Sequence, residues 1–240
     1  ETIAKAFTVW LSKKKNKQTE ALTVAVGMDS RLTGPALKAA VIKGLTGMGV
    51  RAVDCGMAST PAMFMTTVLP GYANDGSIML TASHLPFNRN GMKFFTGEGG
   101  LEKGDITDIL KIASEGVCPE KTEPGAVEPL DFISVYAADL VAKIRKATGG
   151  EKPLEGMRII VDAGNGSGGF YADKVLKPLG ADTRGSQFLE PDGHFPNHIP
   201  NPEDQKAMAA IQKAVLEQHA DFGIIFDTDV DRAGAVDRNG

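Results

Sequence analysis

Short apolar runs recur along the chain, each followed by a polar stretch that opens an amphipathic segment. Leu22-Thr23-Val24-Ala25-Val26, closed by Gly27, has the length and β-branching of a buried strand. Thr33-Gly34-Pro35 then starts a helix, with the proline in its first turn and a glycine stop at Gly47-Met48-Gly49. Arg51-Ala52-Val53-Asp54 predicts a second strand, and Thr60-Pro61 caps a second helix to about Leu69. Ser77-Ile78-Met79-Leu80 and Met92-Lys93-Phe94-Phe95 predict two more strands, separated by a polar loop.

The order repeats from Met157. Arg158-Ile159-Ile160-Val161 is read as a strand, Gly168 to Leu179 as a helix and Ala181 to Phe188 as holding a strand. Glu203 to His219 is read as a helix, then Phe222-Gly223-Ile224-Ile225-Phe226 and Ala233-Gly234-Ala235-Val236 as strands. Alternating strands and helices predict an α/β fold of two similar three-layer domains with mixed, mainly parallel sheets. The short loop before each half's last strand predicts that this strand runs antiparallel. The breaker-rich stretch Cys118 to Gly125 reads as a linker, giving domains 1–125 and 126–240. A bridging helix, 131–147, follows, with Ala137, Leu140, Val141 and Ile144 on one face.

Composition narrows the functional classes. The net charge of -4 lacks the basic field of a nucleic-acid binder, and no apolar run is long enough to span a membrane. The run Lys13-Lys14-Lys15-Asn16-Lys17 reads as a solvated helix end. Two distant cysteines, Cys55 and Cys118, predict a reduced compartment without disulfides or structural zinc. With no targeting segment at the start, the cytoplasm is the expected location. The first residues already look helical and the last enter a turn, so flanking sequence is expected to be missing.

The chemistry concentrates in two loops that occupy the same slot of the repeat, after each half's third strand. Carboxyl ends of parallel strands are where such sheets bind ligands. Asp227-Thr228-Asp229-Val230-Asp231-Arg232 places three mutually repelling carboxylates beside an arginine. A hard divalent cation such as Mg²⁺ relieves that repulsion, and Arg232 has the geometry to hold a phosphate. Thr81 to Asn90 holds Ser83 beside His84, with Lys93 on the following strand. A serine can carry a phosphoryl group whose oxygens then join a metal's ligand set. A solvated acidic turn is the plain alternative for the first of these loops, and a Ser-His hydrolase for the second. No Gly-x-Ser-x-Gly elbow supports the hydrolase.

Thr81-Ala82-Ser83-His84-Leu85-Pro86, Asn90-Gly91-Met92-Lys93 and Asp227 to Arg232 resemble the loops of the α-D-phosphohexomutase family. So do Gly27-Met28-Asp29-Ser30-Arg31, Thr60-Pro61, Asp162-Ala163-Gly164-Asn165-Gly166 and Asp192-Gly193-His194-Phe195-Pro196. Leu85, Thr228 and Val230 depart from the usual residues. The resemblance implies an isomerase that moves a phosphoryl group between the 1- and 6-positions of a hexose phosphate. It implies phosphorylated Ser83 as carrier, a bisphosphorylated sugar intermediate, and hexose 1,6-bisphosphate as activator. Asp227, Asp229, Asp231 and the phosphoserine would hold Mg²⁺; His84, Lys93, Arg31 and Arg232 would line the site, with Lys93 as general acid/base and Arg31 on substrate phosphate. It also implies that only the first two of four family domains are here, so turnover by this chain alone is expected to be weak or absent. The particular hexose and the oligomeric state stay open.

Three rival readings remain on the residues alone. Gly164 to Gly169 fits G-x-G-x-x-G with Asp182 at the next strand, as in a dinucleotide-binding oxidoreductase. Phe226-Asp227-Thr228-Asp229 resembles the nucleophile loop of haloacid-dehalogenase-like phosphatases. A non-catalytic module that binds metal or sugar phosphate is the third. His194 and His198, four apart with Pro196 between, read as loop residues rather than a zinc pair.

Overall fold

The computed structural model describes residues 1–116 and 121–240, so Cys118 and the start of the expected linker lie outside the described residues. The chain divides into two units. The first comprises residues 1–28, 33–81 and 90–131; the second comprises 29–32, 82–89 and 132–240.

The first unit is a six-stranded sheet with flanking helices. Its strands are β1 (Thr23–Met28), β2 (Arg51–Met57), β3 (Gly76–Leu80), β4 (Met92–Thr96), β5 (Gly99–Gly100) and β6 (Val127–Pro129). They lie in the order β5-β4-β3-β1-β2-β6. β1 pairs parallel with β2 and β3, while β4 pairs antiparallel with β3, as the short intervening loop predicts. The helices are α1 (Thr2–Lys15), α2 (Gly34–Gly47), α3 (Thr60–Met65) and α4 (Lys103–Glu115). The lysine run ends α1, where cations meet the negative end of the helix dipole, and Asn16 stops it in the left-handed conformation. Val24, Val26, Ile78 and Leu80 pack with Phe7, Leu11, Val41 and Leu45 in one core.

One expected helix is corrected here, and two features go beyond the expected pattern. The second helix is short, and its cap is Ser59, whose side chain accepts from the Ala62 N–H. α4 went unpredicted, although Ile106, Ile109 and Ile112 repeat at helical spacing and Glu102 with Asp105 forms a capping box. The end of the expected linker is held by backbone hydrogen bonds. Lys121 and Gly125 donate backbone N–H groups to Gly47 and Thr46 carbonyls, and β6 then pairs with β2. A Cβ on Gly125 would fall 2.0 Å from the Val50 carbonyl oxygen, so the glycine there serves close approach.

The second unit holds α5 (Phe132–Thr148), β7 (Ile159–Asp162), α6 (Gln205–Glu217), β8 (Phe222–Phe226) and β9 (Ala233–Asp237). β7 and β8 pair parallel, and β8 and β9 antiparallel. Successive strand residues face opposite layers. Ile160 and Ile225 pack on α6 through Ile211 and Val215. Ile159, Val161 and Phe226 pack on Ala172 and Leu176. The expected helix Gly168 to Leu179 is instead a 3₁₀ turn, Ser167–Gly169, and a π-helical turn, Tyr171–Leu176. α5 packs beside it through Ala137 and Val141 against Val175 and Leu179. The expected strand within 181–188 is reduced to two isolated bridges, Arg158–Asp182 and Asp162–Gln187. Between them Gly185 has φ 92°, in the left-handed region that favours glycine.

Ile211 is fully buried between α6 and β8. Ile211→Ala is expected to destabilise the second unit by about 3 kcal/mol, read as a lower urea midpoint with unchanged slope.

Candidate active site

The second unit brings the two polar loops together. One is residues 82–89, which leaves the carboxyl end of β3; the other follows β8. The Ser83 hydroxyl donates to Asp227 Oδ2 at 3.1 Å and accepts from Arg232 Nη2 at 3.0 Å. Arg232 Nη2 also meets His84 Nδ1, which lies 3.5 Å from Ser83 Oγ. Ser83 itself has φ 52°, a left-handed conformation that non-glycine residues seldom adopt.

The acidic loop is closed on itself. The Asp227 N–H donates to the Arg232 carbonyl at 3.1 Å, and the Arg232 N–H returns to Asp227 Oδ1 at 3.1 Å. Val230 is β-branched yet has φ 69°, a strain of about 1–3 kcal/mol. Its buried side chain packs with Phe226 and Val161, which holds the turn in place. Asp227, Asp229 and Asp231 offer oxygens within 4.8 Å of one another, with the first two buried and the third exposed. Burial, then the nearby Asp229 charge, push the Asp227 carboxyl up to about 6, against the Arg232 N–H and the Ser83 hydroxyl. An all-oxygen set whose members repel one another suits a hard divalent cation.

Arg31, expected on substrate phosphate, is engaged within the protein. It is 2% exposed, and Nε donates to Asp29 Oδ2 at 3.1 Å. Nη1 donates to the Pro86 carbonyl at 2.7 Å, and Nη2 to those of Ser83 and Leu85 at 2.6 and 2.8 Å. A guanidinium so committed holds the serine loop by its backbone. Lys93 stands on β4 opposite Met79, in the first unit.

The glycine motif after β7 does not form a dinucleotide cradle. A Cβ on Gly166 would meet the Thr228 carbonyl oxygen at 2.7 Å, and one on Gly169 the Leu189 oxygen at 2.2 Å. These glycines admit neighbouring backbone where a pyrophosphate would need room. Asp182 is engaged by Arg184 and, more weakly, by Arg158, which hold its carboxyl well below the usual range. His198, read as a loop residue, is buried against Asp162, with Nε2 at 3.0 Å from Oδ1 and Nδ1 at 2.9 Å from the Ile199 carbonyl. Burial opposes charge on this ring, but the Asp162 hydrogen bond and charge outweigh it and raise its pKa. Sequence spacing carries no signal for that pair, whose members are 36 residues apart.

Comparison with known proteins places most of the chain in one family. The model for phosphoglucomutase/phosphomannomutase α/β/α domain I matches residues 1–116, and that for domain II matches residues 134–240. The chain belongs to the phosphoglucomutase/phosphomannomutase family. It is 32% identical to a phosphoglucomutase of Neisseria gonorrhoeae over 90% of its own length and 45% of that protein. It is 36% identical to a phosphomannomutase of Salmonella montevideo, over 91% of its own length and 48% of that protein. A crystal structure of a phosphoglucomutase/phosphomannomutase family protein from Burkholderia thailandensis superposes with a TM-score of 0.85 at 29% identity, covering all of this chain and 50% of that one. The chain thus spans about half the length of the relatives it matches. Among the described residues, no helix is long and apolar enough to cross a membrane.

The raised Asp227 pKa means that the cation-free fold holds this proton more tightly than the unfolded chain. The resulting penalty grows as pH rises from the ordinary value of 3.8 through about 6, and is complete above. Asp229→Asn removes a neighbouring like charge. In chelator-treated protein it is expected to raise Tm by ~3 °C at about pH 7 and to leave it nearly unchanged at about pH 4, by calorimetry.

Proposed function

We propose that this chain carries the phosphoryl-transfer half of a phosphohexomutase, which interconverts hexose 1-phosphate and hexose 6-phosphate. The observation that carries the reading is the Ser83 hydroxyl, 3.1 Å from the Asp227 carboxylate and 3.0 Å from the Arg232 guanidinium. A serine held between a carboxylate and a cation, at a cluster of hard oxygen donors, suits a phosphoryl carrier.

In this reading Ser83 is phosphorylated in the resting state. A sugar hydroxyl attacks the phosphorus, the P–Oγ bond breaks, and the bond electrons stay on Ser83 Oγ. The bisphosphorylated sugar then presents its other phosphate, and Ser83 Oγ attacks that phosphorus to regenerate the carrier. Lys93 is our choice to take the proton of the attacking hydroxyl and return it to the departing sugar oxygen. Arg232 and His84 hold the transferring group beside Ser83. Arg31 keeps the loop backbone in place. Asp227, Asp229 and Asp231, with phosphoserine oxygens, would hold Mg²⁺, which when bound neutralises charge on the transferring phosphoryl group. Hexose 1,6-bisphosphate would load Ser83. We place the reactions in the cytoplasm.

Incubation with hexose 1,6-bisphosphate and Mg²⁺ is expected to add one phosphoryl group, mapped by peptide mass to Ser83. Ser83→Ala is expected to abolish the label, and Asp229→Ala to slow labelling at least ~100-fold. Label on Asp227 instead would favour an aspartyl phosphatase. Tight binding of Mg²⁺ and sugar phosphate without label would mark a non-catalytic module.

A further inference from the structure

The segment Asp192–His198 lies outside both reactive loops, yet it touches the elements that place them. Gly193 lies against the backbone on both sides of Arg31, the serine loop's anchor: a Cβ there would fall 2.6 Å from both the Ser30 carbonyl oxygen and the Leu32 nitrogen. Two residues on, the Phe195 ring centroid lies 5.6 Å from Arg31 Cζ, within cation–π range of a buried guanidinium. That guanidinium holds the carbonyls of Ser83, Leu85 and Pro86.

The other side of the segment is tied to the turn after β7. The Asp192 N–H donates to the Asn165 carbonyl at 2.9 Å, and Asn197 Nδ2 donates to Asn165 Oδ1 at 2.8 Å. His198 closes the segment on buried Asp162. The turn itself abuts the acidic loop, since the Ser167 N–H donates to the Thr228 carbonyl at 2.8 Å and Gly166 leaves room for that same oxygen. One continuous frame therefore runs from the acidic loop, through Asn165 and the 192–198 segment, to Arg31 and the serine loop.

We propose that residues 192–198 form a strap that sets the position of Ser83 against the acidic loop, and that Phe195 is its positioning residue, acting through Arg31. In its kinetic consequence the proposal rests on the phosphoryl-transfer reading; in its structural consequence it does not. The ring's role is to hold the Arg31 guanidinium flat in its buried slot, so that its N–H groups stay aimed at three loop carbonyls. An aliphatic side chain fills the space but lacks the quadrupole that attracts the cation.

The test uses the full chain, with Phe195→Leu keeping apolar bulk and Phe195→Tyr keeping the ring. Hydrogen exchange is read at the Arg31 amide, which donates to Asp29 Oδ1, and at the Leu85 amide, which donates to the Ala82 carbonyl. Phe195→Leu is expected to speed both about tenfold while the amides of α6 and β8 keep their rates; Phe195→Tyr is expected to match the parent. Unchanged exchange in Phe195→Leu, or an equal rise across α6 and β8, overturns the proposal. Where the parent accepts a phosphoryl group, Phe195→Leu is expected to lower the maximal rate of Ser83 loading about tenfold, with the KM for bisphosphate and the Kd for Mn²⁺ unchanged. A loading rate equal to the parent's overturns the positioning role. A parent that takes no label defeats the functional reading instead, and the exchange data then decide the strap by themselves.

Discussion

The carboxylate of Asp227 is the constraint around which the second unit is arranged. It leaves the end of β8 fully buried, beside two further carboxylates, and charge of one sign in so little solvent is costly. The surroundings answer with donors. The Arg232 N–H and guanidinium and the Ser83 hydroxyl all point at this group. Burial, and after it repulsion from Asp229, still leaves its pKa raised. A site that is electrostatically unfavourable when empty favours a cation when one is present, so stability is given up where binding is gained.

Holding that arrangement requires backbone that local preference disfavours. Ser83 and Val230 both take positive φ, one in each reactive loop. Val230 is held by its burial among Phe226 and Val161, and Ser83 by Arg31 through its carbonyl. The strain is carried by packing and by a buried ion pair between Arg31 and Asp29, well behind the groups that would react. Gly166, Gly193, Asn165 and Phe195 belong to the same support.

Much of the fold was legible because periodicity reports burial directly. β1, β3, β4, β7, β8 and β9, and helices α1, α2, α5 and α6, stand where apolar runs and caps place them. The losses have specific causes. α4 lay beside a glycine-rich stretch and carries only Ile109 as a fully buried residue, so its stripe was thin. The 168–179 segment has helical composition, but its start is drawn into a 3₁₀ turn, where Gly168 and Gly169 admit Phe226 and Leu189. The 181–188 segment has strand composition but meets β7 only through isolated bridges.

For the site, the sequence by itself determined the chemistry: a serine, a histidine, an arginine and three carboxylates, each in a loop after a buried strand. Those identities need only residue type and spacing, because a loop at a strand's carboxyl end presents its side chains wherever the sheet sits. Only the tertiary structure decided which of them meet. The Ser83–Asp227 contact joins residues 144 apart, and no local pattern encodes such a distance. It also decided what Arg31 does. An arginine beside an aspartate reads equally as a phosphate ligand or a structural pair. Burial, which takes every surrounding element to establish, turned its donors inward onto the serine loop.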